Sequence, residues 1–219
     1  MTGISAGSGR EAPVVLFDWN GTVVDDIERA ALAAAAVLRS RRLPAPGVRE
    51  FAARFTLPLE QLFRELGVNE RQVASATNQW NEFMLASPAP LQHGAQGLLD
   101  FLVQQGNLVG VISAASTELV LSDLARLQLS ERLELVCGGA GDKAIVLRQF
   151  TAHRRNRRVF YVGDTEHDVQ AARRAGAIAV GFAGGYRPAP ALARAGADHV
   201  IHGLAELIDV LTTSGEKTP

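Results

Sequence analysis

Apolar and polar positions follow two different patterns along this chain. From residue 94 onward, short apolar, largely β-branched runs alternate with stretches in which apolar residues recur every three or four positions. The runs at 108–112, 133–137, 159–162 and 178–182, and a shorter one at 199–201, predict buried strands. The stretches at 94–105, 117–127, 142–153, 168–175 and 204–211 predict helices. One further strand is predicted near the beginning, at 14–17. Strands alternating with helices imply a parallel sheet covered on both faces, an α/β, Rossmann-like core.

Residues 26–90 read differently. They hold no convincing strand, and helices are predicted at 28–41, 59–66 and 73–85, with Pro44, Pro46 and Pro58 punctuating the connections. The expected organisation is therefore a core of residues 1–25 and 91–219 with a helical insert, 26–90, between the first two strands. The turns at 24–26 and 87–94 are its expected hinges.

Composition adds exclusions. The 219 residues suit one such domain with an insert, and 47% hydrophobic content makes a buried core easy to build. A formal net charge of -1 offers no electrostatic argument for nucleic acid or an acidic membrane. The basic run HRRNRR at 153–158 reads as a charged surface turn, because no aromatic residue interleaves with it. The single cysteine, Cys137, excludes an intramolecular disulfide, and within LELVC it reads as an inert buried thiol. No apolar stretch is long enough to cross a bilayer. The opening MTGISAGSGREAP lacks the apolar centre of a secretory signal and reads as a flexible leader, as TTSGEKTP reads as a tail. A cytoplasmic protein, monomer or homodimer, is expected.

Four stations carry candidate chemistry. Asp18-Trp19-Asn20-Gly21-Thr22 follows the first predicted strand directly. A carboxylate buried there without a partner is costly, and the end of a strand in such a sheet is a ligand position. Gly21 permits a tight turn that the Thr22 hydroxyl can lock. Ser113 follows the second strand, where its hydroxyl and the next amides can hold phosphoryl oxygens. Lys143 begins a predicted helix, where its charge opposes the macrodipole, so an anion should lie close. Gly163-Asp164-Thr165-Glu166-His167-Asp168 follows the fourth strand. Carboxylates gathered at strand ends repel one another unless a hard cation lies between them, and magnesium takes such oxygen ligands. Each station alone has a bland reading: a turn serine, a solvated lysine, a capped helix. The four in order, each at or near a strand end, point to one site.

FDWNGTVVDD, VISAAS, DKAIVL and YVGDTEHDVQAARRAG together resemble the four motifs of the haloacid dehalogenase superfamily, over nearly the whole chain. PLEQLFRELG and the closing GGYRPAPALARAGADHVIHGLAELIDVL are similar to the phosphoglycolate phosphatase-like branch with its helical cap. The resemblance implies a Mg2+-dependent phosphatase acting on a small phosphorylated metabolite: phosphoglycolate, a sugar phosphate or a nucleotide. It implies that Asp18 attacks phosphorus to form an aspartyl-phosphate. It implies a metal held by Asp18, the Asn20 backbone carbonyl and Asp164, with Thr22 in support and Asp168 either supporting the metal's waters or pairing with Lys143. Ser113, the Ala114 amide and Lys143 would hold the phosphoryl group.

Two positions depart from the family pattern. Phosphatases of the family usually carry an acid/base aspartate where this chain has Asn20, and an amide can neither protonate a leaving group nor activate water. A general acid is worth roughly 10²–10⁴ in rate, so hydrolysis should be weakened, sparing substrates with good leaving groups, or a substitute acid should exist. His167 and the insert are the expected sources, with a solvated loop as the plainer reading of His167. Ala114 stands where many relatives have asparagine, which removes a side-chain contact.

Rival chemistries are fewer. A phosphonate hydrolase of this superfamily needs a cap lysine, and the lysines here are Lys143 and Lys217. A dehalogenase would not need both Asp164 and Asp168. A phosphoryl-ligand binder or a phosphotransferase is the alternative that Asn20 leaves open. In the insert, Arg54-Phe55-Thr56 should face the cleft if the family pattern holds; Arg54 then meets a substrate anion or, equally, an ion-pair partner. Trp19, beside the nucleophile, reads as packing at the seam between insert and core.

Overall fold

The computed structural model describes residues 12–153 and 157–213. The expected leader up to residue 11, the tail from residue 214 (Lys217 included) and the middle of the HRRNRR turn lie outside them. Six strands, β1 (Val14–Phe17), β2 (Leu108–Ile112), β3 (Leu135–Cys137), β4 (Val159–Gly163), β5 (Ile178–Phe182) and β6 (His199–Ile201), form one parallel sheet in the order β3-β2-β1-β4-β5-β6. The two-residue alternation of β1 sorts its side chains. Val15 and Phe17 enter the core beneath α5 (Ala95–Gln104) and α6 (Thr117–Arg126). Val14 and Leu16 enter the opposite core, beneath α7 (Lys143–His153) and α8 (Glu166–Ala175). Both faces are thus covered, as the continuous apolar runs require.

Phe17 pairs with Val111 on one side and Val162 on the other, so β1, β2 and β4 end at one level. Sequence order reverses at β1, and the crevice beyond the strand ends at such a switch point is where sheets of this kind bind ligands.

The insert carries α1 (Ile27–Ser40), α2 (Val48–Arg54), α3 (Leu59–Glu65) and α4 (Glu70–Ala86). Its alanines let α1 and α4 approach closely: Ala30, Ala33 and Ala34 are buried, and the Trp80 indole donates to the Ala30 carbonyl at 3.2 Å. Asn69 caps α4 by accepting from the Arg71 amide. The two connections to the core run side by side. Asp25 N donates to Pro90 O, and Gln92 N to Val23 O, both at 2.9 Å.

Several boundaries depart from expectation. The third strand begins at Leu135 rather than 133, because pairing with β2 starts where side-chain-free Gly110 admits Leu135. It is also an edge strand, which leaves Cys137 half-buried rather than buried. The stretch at 204–211 divides into a 3-10 turn, Leu204–Glu206, and α10 (Leu207–Thr213). Two helices had no periodic signal: α2, which fully buries only Phe51, and α9 (Ala189–Arg194), which is six residues long. Among the described residues no helix is long and apolar enough to cross a membrane.

Candidate active site

The four stations converge beyond the ends of β1, β2 and β4. Asp18, Ser113 and Lys143 line one cavity of about 630 Å³ with Asn20 and Ala114, and the insert forms its far wall. Asp18 follows Phe17, the last residue of β1. Its turn is fastened by the Trp19 carbonyl, which accepts from the amides of Thr22, Val23 and Val24. Gly21 is required there twice over. Its φ is +77°, and a Cβ would lie 2.4 Å from Asp164 Oδ2. The Thr22 hydroxyl reaches across the sheet to donate to Asp164 Oδ1 at 2.8 Å, so it ties the first station to the fourth.

Lys143 is buried at the start of α7, and its anions are close. Nζ lies 2.9 Å from Asp18 Oδ1 and 2.6 Å from Asp168 Oδ1. Burial pulls the ammonium's pKa down, but Asp168 and Asp18 outweigh it and hold the group above its ordinary range. Asp168 is fixed from its other side, where Oδ2 accepts from Thr165 N at 3.1 Å and Thr165 Oγ1 at 2.5 Å, which caps α8. Asp164 is fully buried and accepts from Thr22 and from the Tyr186 amide at 2.8 Å.

Carboxylate oxygens of Asp18, Asp164 and Asp168 all lie within 4.8 Å of one another. Burial pushes the carboxyls of Asp18 and Asp164 upward, and neighbouring carboxylates add to it against the pull of Lys143 on Asp18 and of the hydrogen bonds to Asp164. One ammonium does not balance three buried carboxylates. The donor set is all oxygen, and these three carboxylates could hold a hard divalent cation, although Asp168 is also bound by Lys143 and Thr165.

The remaining expectations divide. Ser113 is buried, and its Oγ accepts from the Ala115 amide at 3.3 Å. Arg54 does not line the cavity: it is exposed, pairs with Glu50 at 3.4 Å and donates to the Glu65 carbonyl at 2.7 Å. Its place in the last turn of a short exposed helix turns it along the insert, while Phe55 takes the cleft position. His167 is exposed at the cleft rim. Trp19 is fully buried, and its indole donates to Asp123 Oδ2 at 3.2 Å.

Sequence reasoning passed over a buried polar cluster beside the site. Arg29 of α1 binds Asp123 of α6 at 3.0–3.1 Å, donates to Ser87 O at 3.2 Å, and reaches Asn20 Oδ1 at 3.3 Å. Asp26, expected only as a hinge residue, is fully buried and lines the cavity. Tyr186 and Arg187, after β5, were also missed. The Tyr186 ring packs on Phe55 at 4.4 Å between centroids. The only sequence signal for the cluster was charge inside an otherwise alanine-rich helix.

Over 216 residues the chain is 26% identical to a phosphoglycolate phosphatase of Photorhabdus laumondii, covering 90% of this chain and 91% of that one. It is 25% identical to a phosphoglycolate phosphatase of Synechococcus elongatus over 205 residues, 90% of this chain and 96% of that one. The fold matches a predicted phosphatase from Clostridium acetobutylicum with a TM-score of 0.80 at 21% identity, covering 92% of this chain and 99% of that one. A haloacid dehalogenase-like family hydrolase from Streptococcus pneumoniae matches with a TM-score of 0.81 at 19% identity, covering 91% and 98%. The model of the haloacid dehalogenase-like hydrolases spans residues 15–182, from β1 to the end of β5 and across all four stations, and the chain belongs to that family.

Proposed function

We propose that the protein is a Mg2+-dependent phosphatase that hydrolyses a small phosphorylated metabolite through an aspartyl-phosphate on Asp18. The observation that carries this reading is the Asp18 carboxylate at a strand end, 2.9 Å from a buried ammonium and within 4.8 Å of a second buried carboxylate, Asp164. Asp18, the Asn20 carbonyl and Asp164 would hold the metal, which when bound neutralises charge on the transferring phosphoryl group. The Asp18 oxygen attacks phosphorus and the ester oxygen departs. Lys143 and the Ser113 hydroxyl, with the Ala114 amide, hold the phosphoryl oxygens as charge builds on them. Asp168 holds Lys143 in place. Water then attacks the phosphorus and frees Asp18. The insert acts as a cap that excludes bulk water from the first step.

The insert's side of the cavity favours an uncharged organic group on the substrate. Phe55, Leu57, Leu59 and Trp80 line it with Thr77 and Asn81, and the charged lining residues the insert contributes, Glu60 and Asp26 at its start, are both acidic. Thr77 Oγ1 is buried and has no hydrogen-bond partner among the described residues, so it suits a substrate hydroxyl. A sugar phosphate or nucleoside monophosphate satisfies such a wall better than the carboxylate of phosphoglycolate.

The test is phosphate release from a panel of phosphomonoesters with and without Mg2+, for wild type and Asp18→Asn. Metal-dependent release lost in Asp18→Asn supports the reading, and acid-trapped phosphoprotein in wild type supports the covalent step. Binding of phosphomonoesters without release from any panel member would instead favour a phosphoryl-ligand binder. Faster release of the alcohol product with an added alcohol acceptor, without faster phosphate release, would favour a phosphotransferase.

A further inference from the structure

Asn20 leaves the proposed reaction without its usual proton donor, and the cleft holds a second carboxyl close to that position. Asp26 stands at the N-cap position of α1 without a side-chain capping bond, is fully buried, and lines the same cavity as Asp18 and Asn20. A single guanidinium nitrogen, Arg29 Nη2, lies 3.3 Å from Asn20 Oδ1 and 4.0 Å from Asp26 Oδ2, so both side chains border the same guanidinium. Asp26 Oδ2 accepts no hydrogen bond among the described residues. A buried carboxyl oxygen without a partner and beside a cavity is poised to meet something in that cavity.

We propose that Asp26 is the general acid and base of this phosphatase, in place of the residue that Asn20 cannot be. The inference rests on the phosphatase reading above. As the Asp18 oxygen bonds to phosphorus and the ester bond breaks, the Asp26 carboxyl gives its proton to the departing oxygen, which leaves as an alcohol. The Asp26 carboxylate then takes a proton from the attacking water. The new bond to phosphorus releases inorganic phosphate, restores the Asp18 carboxylate and returns Asp26 to its protonated form.

The groups facing Asp26 are compatible with a neutral carboxyl. Arg29, on its own helix, is committed to Asp123 through both terminal nitrogens and approaches Asp26 only at 4.0 Å. Asp18 at the end of β1 and Asp123 on α6 add negative charge nearby, and the Tyr186 hydroxyl, after β5, donates weakly at 3.5 Å. Burial is the leading cause that lifts the Asp26 carboxyl to about 7, with Arg29 and the Gly21 backbone opposing and the two carboxylates assisting. A group titrating there can serve as acid and base in turn near neutral pH.

Leaving-group dependence tests this directly, because kcat/KM reports the step in which the ester oxygen departs. With Mg2+ present, wild type, Asp26→Asn, and Asp26→Asn combined with Asn20→Asp are compared on glycerol 2-phosphate and p-nitrophenyl phosphate. The alkyl ester needs a proton donor and the nitrophenyl ester hardly does. Asp26→Asn should lose roughly 10²–10⁴-fold on the alkyl ester and less than about tenfold on the nitrophenyl ester, and the double variant should recover the alkyl ester at least about tenfold. Equal losses on both esters, or loss on neither, would overturn the role of Asp26 and leave the phosphatase reading intact. A wild type inert on both esters would overturn the phosphatase reading and this inference with it.

Discussion

Arg187, on the segment after β5, donates through Nη1 to the backbone carbonyl of Ala52 in the last turn of α2, 2.7 Å away. Its Nη2 reaches the Phe55 carbonyl, and its Nε pairs with Glu166 at 2.9 Å. One core side chain thus holds the insert by the backbone, next to the Phe55 ring that lines the cavity. Arg187→Ala should loosen that edge of the cleft. The expected result is a severalfold higher KM and lower kcat, since closing elements set both. Tm should fall as well, because the side chain is largely buried and its bonds to Ala52, Phe55 and Glu166 are lost. Steady-state kinetics beside a thermal melt checks it.

Lys143→Met should remove the proposed phosphoryl contact and leave Asp18 and Asp168 facing each other in a buried site. Stripping one partner from a buried pair costs about 3–5 kcal/mol. We expect a lower denaturant midpoint in chelator, partly recovered with Mg2+. Turnover should fall by at least about 10²-fold.

Gly21→Ala places a methyl 2.4 Å from Asp164 Oδ2 and forces a positive φ on a residue with a side chain. The strain is on the order of 1–3 kcal/mol. The variant should fold with reduced stability and need more Mg2+ for half-maximal activity, read by a metal titration of the rate.

Asp26 gives the metal-free protein a pH signature. Its carboxyl is raised from 3.8 to about 7 on folding, so the folded state holds a proton that the unfolded state has lost. The contribution to stability is fully present below pH 3.8 and is lost as pH rises through about 7. Wild type should therefore lose stability relative to Asp26→Asn across that window, in chelator. Parallel Tm curves for the two proteins would show that the carboxyl is not raised.

The wall formed by the insert predicts selectivity. Phosphoglycolate should be a poorer substrate than a sugar phosphate or nucleoside monophosphate, by at least about tenfold in kcat/KM, since each 1.4 kcal/mol of lost contact is tenfold. Thr77→Val should raise KM for the hydroxylated substrates and leave phosphoglycolate less affected.

Much of this is legible in the sequence. The six strands follow from short apolar runs, because a strand buried on both faces admits almost nothing else. The stations follow from polar residues placed where those runs stop. Lys143 at a helix start demanded an anion, and Asp168 and Asp18 are there. Helices α2 and α9 left no such trace, since seven and six residues make too few turns for a period to show.

What the sequence by itself determined was the sheet, the order of the stations, and an asparagine, Asn20, where an acid was expected. Local pattern suffices for these because each depends on neighbours within a few positions. Tertiary structure alone decided that Arg54 points away along the insert, that Arg187 holds α2, and that Asp26 leaves the hinge to enter the cleft beside Asn20. Those outcomes depend on contacts between residues distant in the chain, such as Arg29 with Asp123 and Arg187 with Ala52. No periodicity encodes such pairs, because packing settles them only when the insert lies against the core.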